Sequence, residues 1–119
     1  MSDIDLVKVE NIKDAKKEIK KIGSAPYSID IMAPKMILRV IKLKNVVLQD
    51  AIIIKQDMLS VGGEVAVPRN TFELKEEKAD ILIIGTMKQL KDLVGKLNRH
   101  YPRLKKISGK LSDFLKDVE

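Results

Sequence analysis

The sequence predicts one α/β or α+β domain. It expects a small mixed sheet of about three or four strands, with about four or five helices packed in two or three layers. Three observations lead there. The run "ADILIIGT" (79–86) holds four consecutive apolar residues, Ile81 to Ile84, and reads as a central strand buried on both faces. Several other segments place apolar residues at helical spacing. The connections are short, and no internal repeat or low-complexity linker interrupts the 119 residues, the length of one ordinary domain spanning 1–119.

Taken in order, "DLVKVE" (5–10) alternates and reads as a short strand. Asn11 suits a helix N-cap, and Asp14 falls in the first turn, where negative charge is favourable. Ile12, Ala15, Ile19 and Ile22 recur on one face, and Gly23 suits the helix end. The other face carries Lys13, Lys16, Lys17, Lys20 and Lys21. It is either a solvated face or a polyanion patch diluted by Asp14 and Glu18. "SIDIMAPK" (28–35) reads as extended, because Ala33 precedes Pro34. "KMILRVIKLKNVVL" is ambiguous. Met36, Ile37, Val40 and Ile41 fit a helical face, while the β-branched content favours a strand. A short helix over about 35–42 is the expectation.

"QDAIIIKQDMLSV" (49–61) is a clearer helix, apolar on most sides and therefore central. Gln49, Asp50, Gln56, Asp57 and Ser60 form one polar strip, in which Asp50 and Asp57 read as solubilising carboxylates. Lys55 falls on the apolar side. It either snorkels outward or reaches an anion or a buried carboxylate. Gly62 ends the helix, and Gly63 allows a reversal into "EVAVP". Pro68 marks a strand end, and "RNTFELKEEK" is a polar connection or hairpin arm. After the 79–86 strand, Thr86 and Gln89 make a capping-box pattern. Met87, Leu90, Leu93, Val94 and Leu97 stripe the next helix. Tyr101-Pro102 breaks the chain, and Leu104, Ile107, Leu111, Phe114 and Val118 stripe a last one.

Composition limits the chemistry. The chain has no Cys and one His, His100, so thiolate chemistry and multi-histidine metal sites are excluded. Aromatic residues make up 3%, so the core is aliphatic. No apolar run reaches the roughly 18 residues of a membrane span, and "MSDIDLVKVE" lacks a signal peptide's apolar segment. A cytoplasmic location without membrane contact is expected. The net charge of +6, with 34% charged residues, resembles the Lys/Glu-rich balance of thermophile proteins. Nucleic acid is an unfavoured partner, with few aromatics for stacking.

No strong catalytic signature is present, and no metal or cofactor is implied. Gly62-Gly63 is not a phosphate loop, since no Gly-Lys-Ser/Thr follows. Nor is it a dinucleotide fingerprint, since the order is helix, Gly-Gly, strand. The best generic anion site is the "IIGTMKQ" turn. There, amides of Thr86, Met87 and Lys88 open a helix at a strand's end. The alternative is plain helix capping.

The stretch "AIIIKQDMLSVGGEVAVPRN", flanked by "DAKKEIKKIG", "YSIDIMAPK" and "ADILIIGTMKQLKDLVGKL", resembles the region preceding the barrel in a subset of dihydropteroate synthases. It also resembles archaeal proteins related to those enzymes. The composite "KQDMLSVGGEVAVPR" followed by "GTMKQ" is the specific part, and about residues 14 to 111 are covered. A synthase barrel needs about 250 residues, and the family's Asn-x-Thr-Pro-Asp-Ser-Phe signature is absent. The resemblance therefore implies a module standing without its barrel. It would be a non-catalytic accessory or assembly module of pterin and folate metabolism, acting through a protein partner or by self-association. The alternative is a binder of a small anion (pterin, phosphate or nucleotide) or an enzyme of another kind. The positions that the resemblance marks are Pro34, Lys35, Lys55, Gln56, Ser60, Gly62, Gly63, Arg69, Gly85 and Thr86.

Overall fold

The computed structural model describes residues 3–71 and 77–119. The first helix, α1 (Ile12–Ile22), begins where expected. Asn11 accepts the Asp14 amide at 2.8 Å, which satisfies an otherwise orphaned donor. Gly23 ends it with φ of 85°, a conformation that glycine adopts without a Cβ penalty. Ala15 and Ile19 are the residues it buries.

Next come α2 (Pro26–Met32) and a 3-10 turn over Ala33–Met36. These replace the extended piece expected over 28–35. Pro26 and Pro34 each sit at the start of their element, where a missing N–H costs nothing. Helix α2 buries no residue and has no side-chain cap, so the sequence carries little periodic trace of it.

Residues expected as a helix over 35–42 run instead into β1 (Leu38–Val47). The β-branched preference prevails once a partner strand is available. That partner is β3 (Lys78–Thr86), which also pairs with β2 (Glu64–Ala66). The order is β1-β3-β2, and every pairing is antiparallel. Helix α3 (Leu48–Ser60) joins β1 to β2, and α4 (Met87–Leu97) and α5 (Pro102–Val118) complete the chain. Residues 5–10, expected as a strand, lie in no helix or strand, and Leu6 is almost wholly exposed. The connection expected over 69–78 lies partly outside the described residues.

The register separates the two sheet faces. Ile41 opposes Ile83, Leu43 opposes Ile81, and Val65 opposes Ile83 from the other side. Ile41, Val65, Ile81 and Ile83 are buried and join the core with Ala51, Ile54, Met58, Leu90 and Leu93. The sheet and the helices on this face make two layers. The opposite face carries Leu38, Val40, Lys42, Leu82, Ile84 and Ala66. Leu38 is 60%, Val40 57% and Leu82 37% exposed. The strand Ile81 to Ile84 is thus central in the sheet but covered on one face only. Arg39, on the covered side, donates to the Val118 carbonyl at 2.9 Å and also to the Glu10 carbonyl, fastening β1 to the end of α5.

Candidate functional site

Four of the residues singled out in the sequence meet at one junction. Gly62 follows α3 with φ of 92°, and the Gly63 amide donates to the Met58 carbonyl at 3.0 Å. Gly85 lies near the end of β3, just before α4. The fully buried Met58 side chain fills the space between Gly63 and Gly85. A Cβ on Gly63 would lie 2.4 Å from the Met58 methyl carbon, and one on Gly85 would lie 2.3 Å from it. The glycines are required because backbone approaches backbone with only a thioether between them.

At the same junction the Thr86 amide donates to Gln89 Oε1 at 2.9 Å, and Gln89 returns its amide to Thr86 Oγ1 at 3.2 Å. This is the capping box expected from Thr86 and Gln89. The Met87 amide donates to the Ile37 carbonyl at 2.7 Å. The amides of Thr86, Met87 and Gln89 at this helix start are therefore engaged by the fold's own oxygens.

The remaining positions lie apart. Lys55 reaches a carboxylate. Its Nζ is 3.0 Å from Glu64 Oε1 and donates to the Val65 carbonyl at 2.7 Å, tying α3 to β2. The Val65 amide first, then Lys55, hold the Glu64 carboxyl below its ordinary range. Gln56 is exposed, and the Ser60 hydroxyl donates to the Asp57 carbonyl at 2.6 Å. Lys35 is exposed on the 3-10 turn. Arg69 lines a small recess with Leu48, Thr71 and Ala79. Ala79 and Thr86 are seven residues apart on one strand, or roughly 23 Å. Arg69 and the Thr86 turn therefore do not face one cavity.

The polar strip of α3 departs most from expectation. Asp50, expected as solvated, is 1% exposed. Its Oδ2 accepts Arg103 Nε at 2.8 Å and its Oδ1 accepts Arg103 Nη2 at 2.9 Å, the two-pronged geometry that suits guanidinium and carboxylate. The Tyr101 hydroxyl also donates to Asp50 Oδ1. Burial alone would raise the Asp50 pKa. The hydrogen bonds from Arg103 and Tyr101 and the guanidinium charge outweigh it and hold the carboxyl below its usual value. Burial, then the bond to Asp50, push the Tyr101 phenol up. The Arg103 guanidinium lies over the Tyr101 ring, 5.0 Å from its centre. Further along α3, Asp57 Oδ2 lies 2.9 Å from His100 Nε2. Sequence reading missed both pairs, since a partner 53 residues away leaves no local pattern. The only available hint is the cluster of Arg99, His100, Tyr101 and Arg103 around the break at Tyr101-Pro102.

Among known proteins, the chain is similar to the bifunctional dihydropteroate synthase/dihydropteroate reductase of Helicobacter pylori (strain ATCC 700392 / 26695). The two are 32% identical over 111 residues, which cover 93% of this chain and 29% of that protein. No protein-family profile matches the chain, and no solved structure matches it. The chain thus spans less than a third of the relative's length, and the similarity marks a related module within a folate-pathway enzyme.

Proposed function

We propose that this chain is a non-catalytic accessory module of folate metabolism that docks on a barrel-type dihydropteroate synthase. The observation that carries this reading is the pattern of coverage. The matched 111 residues are 29% of the relative, which leaves roughly 270 residues outside them, about what an eight-stranded α/β barrel requires. In the relative, the matched module and the barrel-sized remainder share one chain, so an affinity between the two is what this reading expects.

The open sheet face supplies a contact surface. Leu38 and Val40 on β1 and Leu82 on β3, diagonal to Val40 across the Val40–Ile84 pair and opposite Lys42, are large apolar residues exposed on this face, and exposed apolar surface of this kind marks an interaction site. Sedimentation of the chain with a barrel-type dihydropteroate synthase tests the reading. A one-to-one complex that Val40→Lys and Leu82→Lys abolish supports it. Two species sedimenting independently at tens of micromolar contradict it.

A second reading draws on the relative's other printed activity. The module would contribute to dihydropteroate reduction, either alone or with the barrel. Reductase turnover by the chain without a partner would favour this reading over the accessory role.

A further inference from the structure

We propose that a cleft beneath the β1 bulge binds a small molecule bearing a diphosphate. The site is distinct from the glycine junction, and it stands whether or not a partner covers the sheet. The β1–β3 register shifts between Leu43 and Val46, so Lys44 and Asn45 fall outside the ladder. Such a bulge redirects side chains out of the strand. Asn45 takes φ of 56°, a left-handed conformation that few side chains other than Asn tolerate. The Asp80 carboxylate accepts the Asn45 amide at 3.0 Å and holds it there.

Across the cleft, α5 presents Arg103, Lys106 and Lys110 at spacings of three and four, which place them on one face. Together with Lys44 they ring a cavity of about 240 Å³, floored by Leu43 and Ile107. The one carboxylate in the lining is Asp50, and it is already committed to Arg103 and Tyr101. No acidic group pairs with Lys44, Lys106 or Lys110 among the described residues.

Three features select the ligand. Four cations against one carboxylate leave three positive charges in excess. A single carboxylate or halide would not balance that; a diphosphate would. Arg103 is fixed in advance by its bonds to Asp50 and its stacking on Tyr101, so little side-chain entropy is lost on binding. The apolar floor suits the organic part of a phosphate ester, and a cleft of about 240 Å³ matches the size of a small molecule.

Calorimetric titration at low salt with pyrophosphate, orthophosphate and acetate tests the proposal. Pyrophosphate should bind once per chain, at least tenfold tighter than orthophosphate, and acetate should give no heat. The double variant Lys106→Gln/Lys110→Gln should weaken pyrophosphate at least tenfold. Lys13→Gln/Lys17→Gln removes the same charge from α1 and should change it by less than twofold. Circular dichroism checks that both variants fold. Equal weakening by the two pairs would reduce the effect to general electrostatics and overturn the site. So would absence of pyrophosphate binding. A short single-stranded oligonucleotide that binds more tightly and displaces pyrophosphate would overturn the choice of ligand.

Discussion

Near its C-terminal end, α3 pushes Met58 between Gly63 and Gly85. Eight residues earlier, roughly 12 Å along the same helix, it buries Asp50 against Tyr101 and Arg103. The first region is the one the sequence advertises. It is apolar and filled by the protein's own atoms, and its Thr86, Met87 and Gln89 amides are spent on internal oxygens. The second has no motif. It holds a buried charge, an ordered guanidinium and a cleft rimmed by lysines that have no acidic partner among the described residues. A recognisable glycine pattern can therefore record a packing requirement, while the electrostatically distinctive site assembles from residues scattered over three elements.

The comparison breaks most visibly at Met58. Met58→Ala should destabilise by about 3 kcal/mol, as buried methionines do. Gly85→Ala should cost about 2 kcal/mol by overpacking. If the junction is a packing device, the double variant should cost clearly less than the two together, because removing the thioether makes room for the new methyl group. Urea unfolding of the four proteins measures this, and strict additivity would contradict the contact.

Asp50→Ala should cost about 2 kcal/mol, through loss of hydrogen bonds to a charged acceptor. Its pH dependence sharpens the contrast with the apolar junction. The folded-state pKa of Asp50 is below its ordinary value of 3.8. The stability it contributes is therefore present above about pH 4 and lost as pH falls through the folded pKa. For Tyr101 the folded value is raised above 10.0, so its contribution is present below pH 10 and lost as pH rises beyond it. The gap in unfolding free energy between the native chain and Asp50→Asn should close on acidification. Met58→Ala should show a pH-independent deficit over the same range. Lys55→Ala, which releases a partly exposed pair with Glu64, should shift the urea midpoint least.

Sequence legibility followed the same division. Helices α1, α4 and α5 show in their apolar stripes, α1 and α4 also in caps at Asn11 and Thr86, and α3 in a circumference apolar on most sides. Strand β3 showed in its apolar run. Strand β1 did not, because its two faces both carry apolar residues. Leu38 and Val40 point to the open side and Ile41 and Leu43 to the core, so the period of two is masked. Helix α2 is too short and too exposed to leave a pattern. Of the site residues, Gly62 and Thr86 are legible because local backbone geometry demands them, one by its positive φ and the other by its cap, whereas Gly63 and Gly85 answer to the tertiary contact with Met58. Asp50 looks solvated in the sequence because it shares a polar strip with Gln49, Gln56 and Asp57, and only tertiary structure brings Arg103 to it.

The most direct test of the contrast is an amide chemical-shift map of the labelled protein titrated with pyrophosphate at low salt. The largest shifts should fall on Lys44 to Val47 and on Arg103 to Lys110, with Gly62, Gly63, Thr86 and Met87 nearly still. Shifts concentrated on the glycine junction and the start of α4, with the cleft silent, would contradict the account.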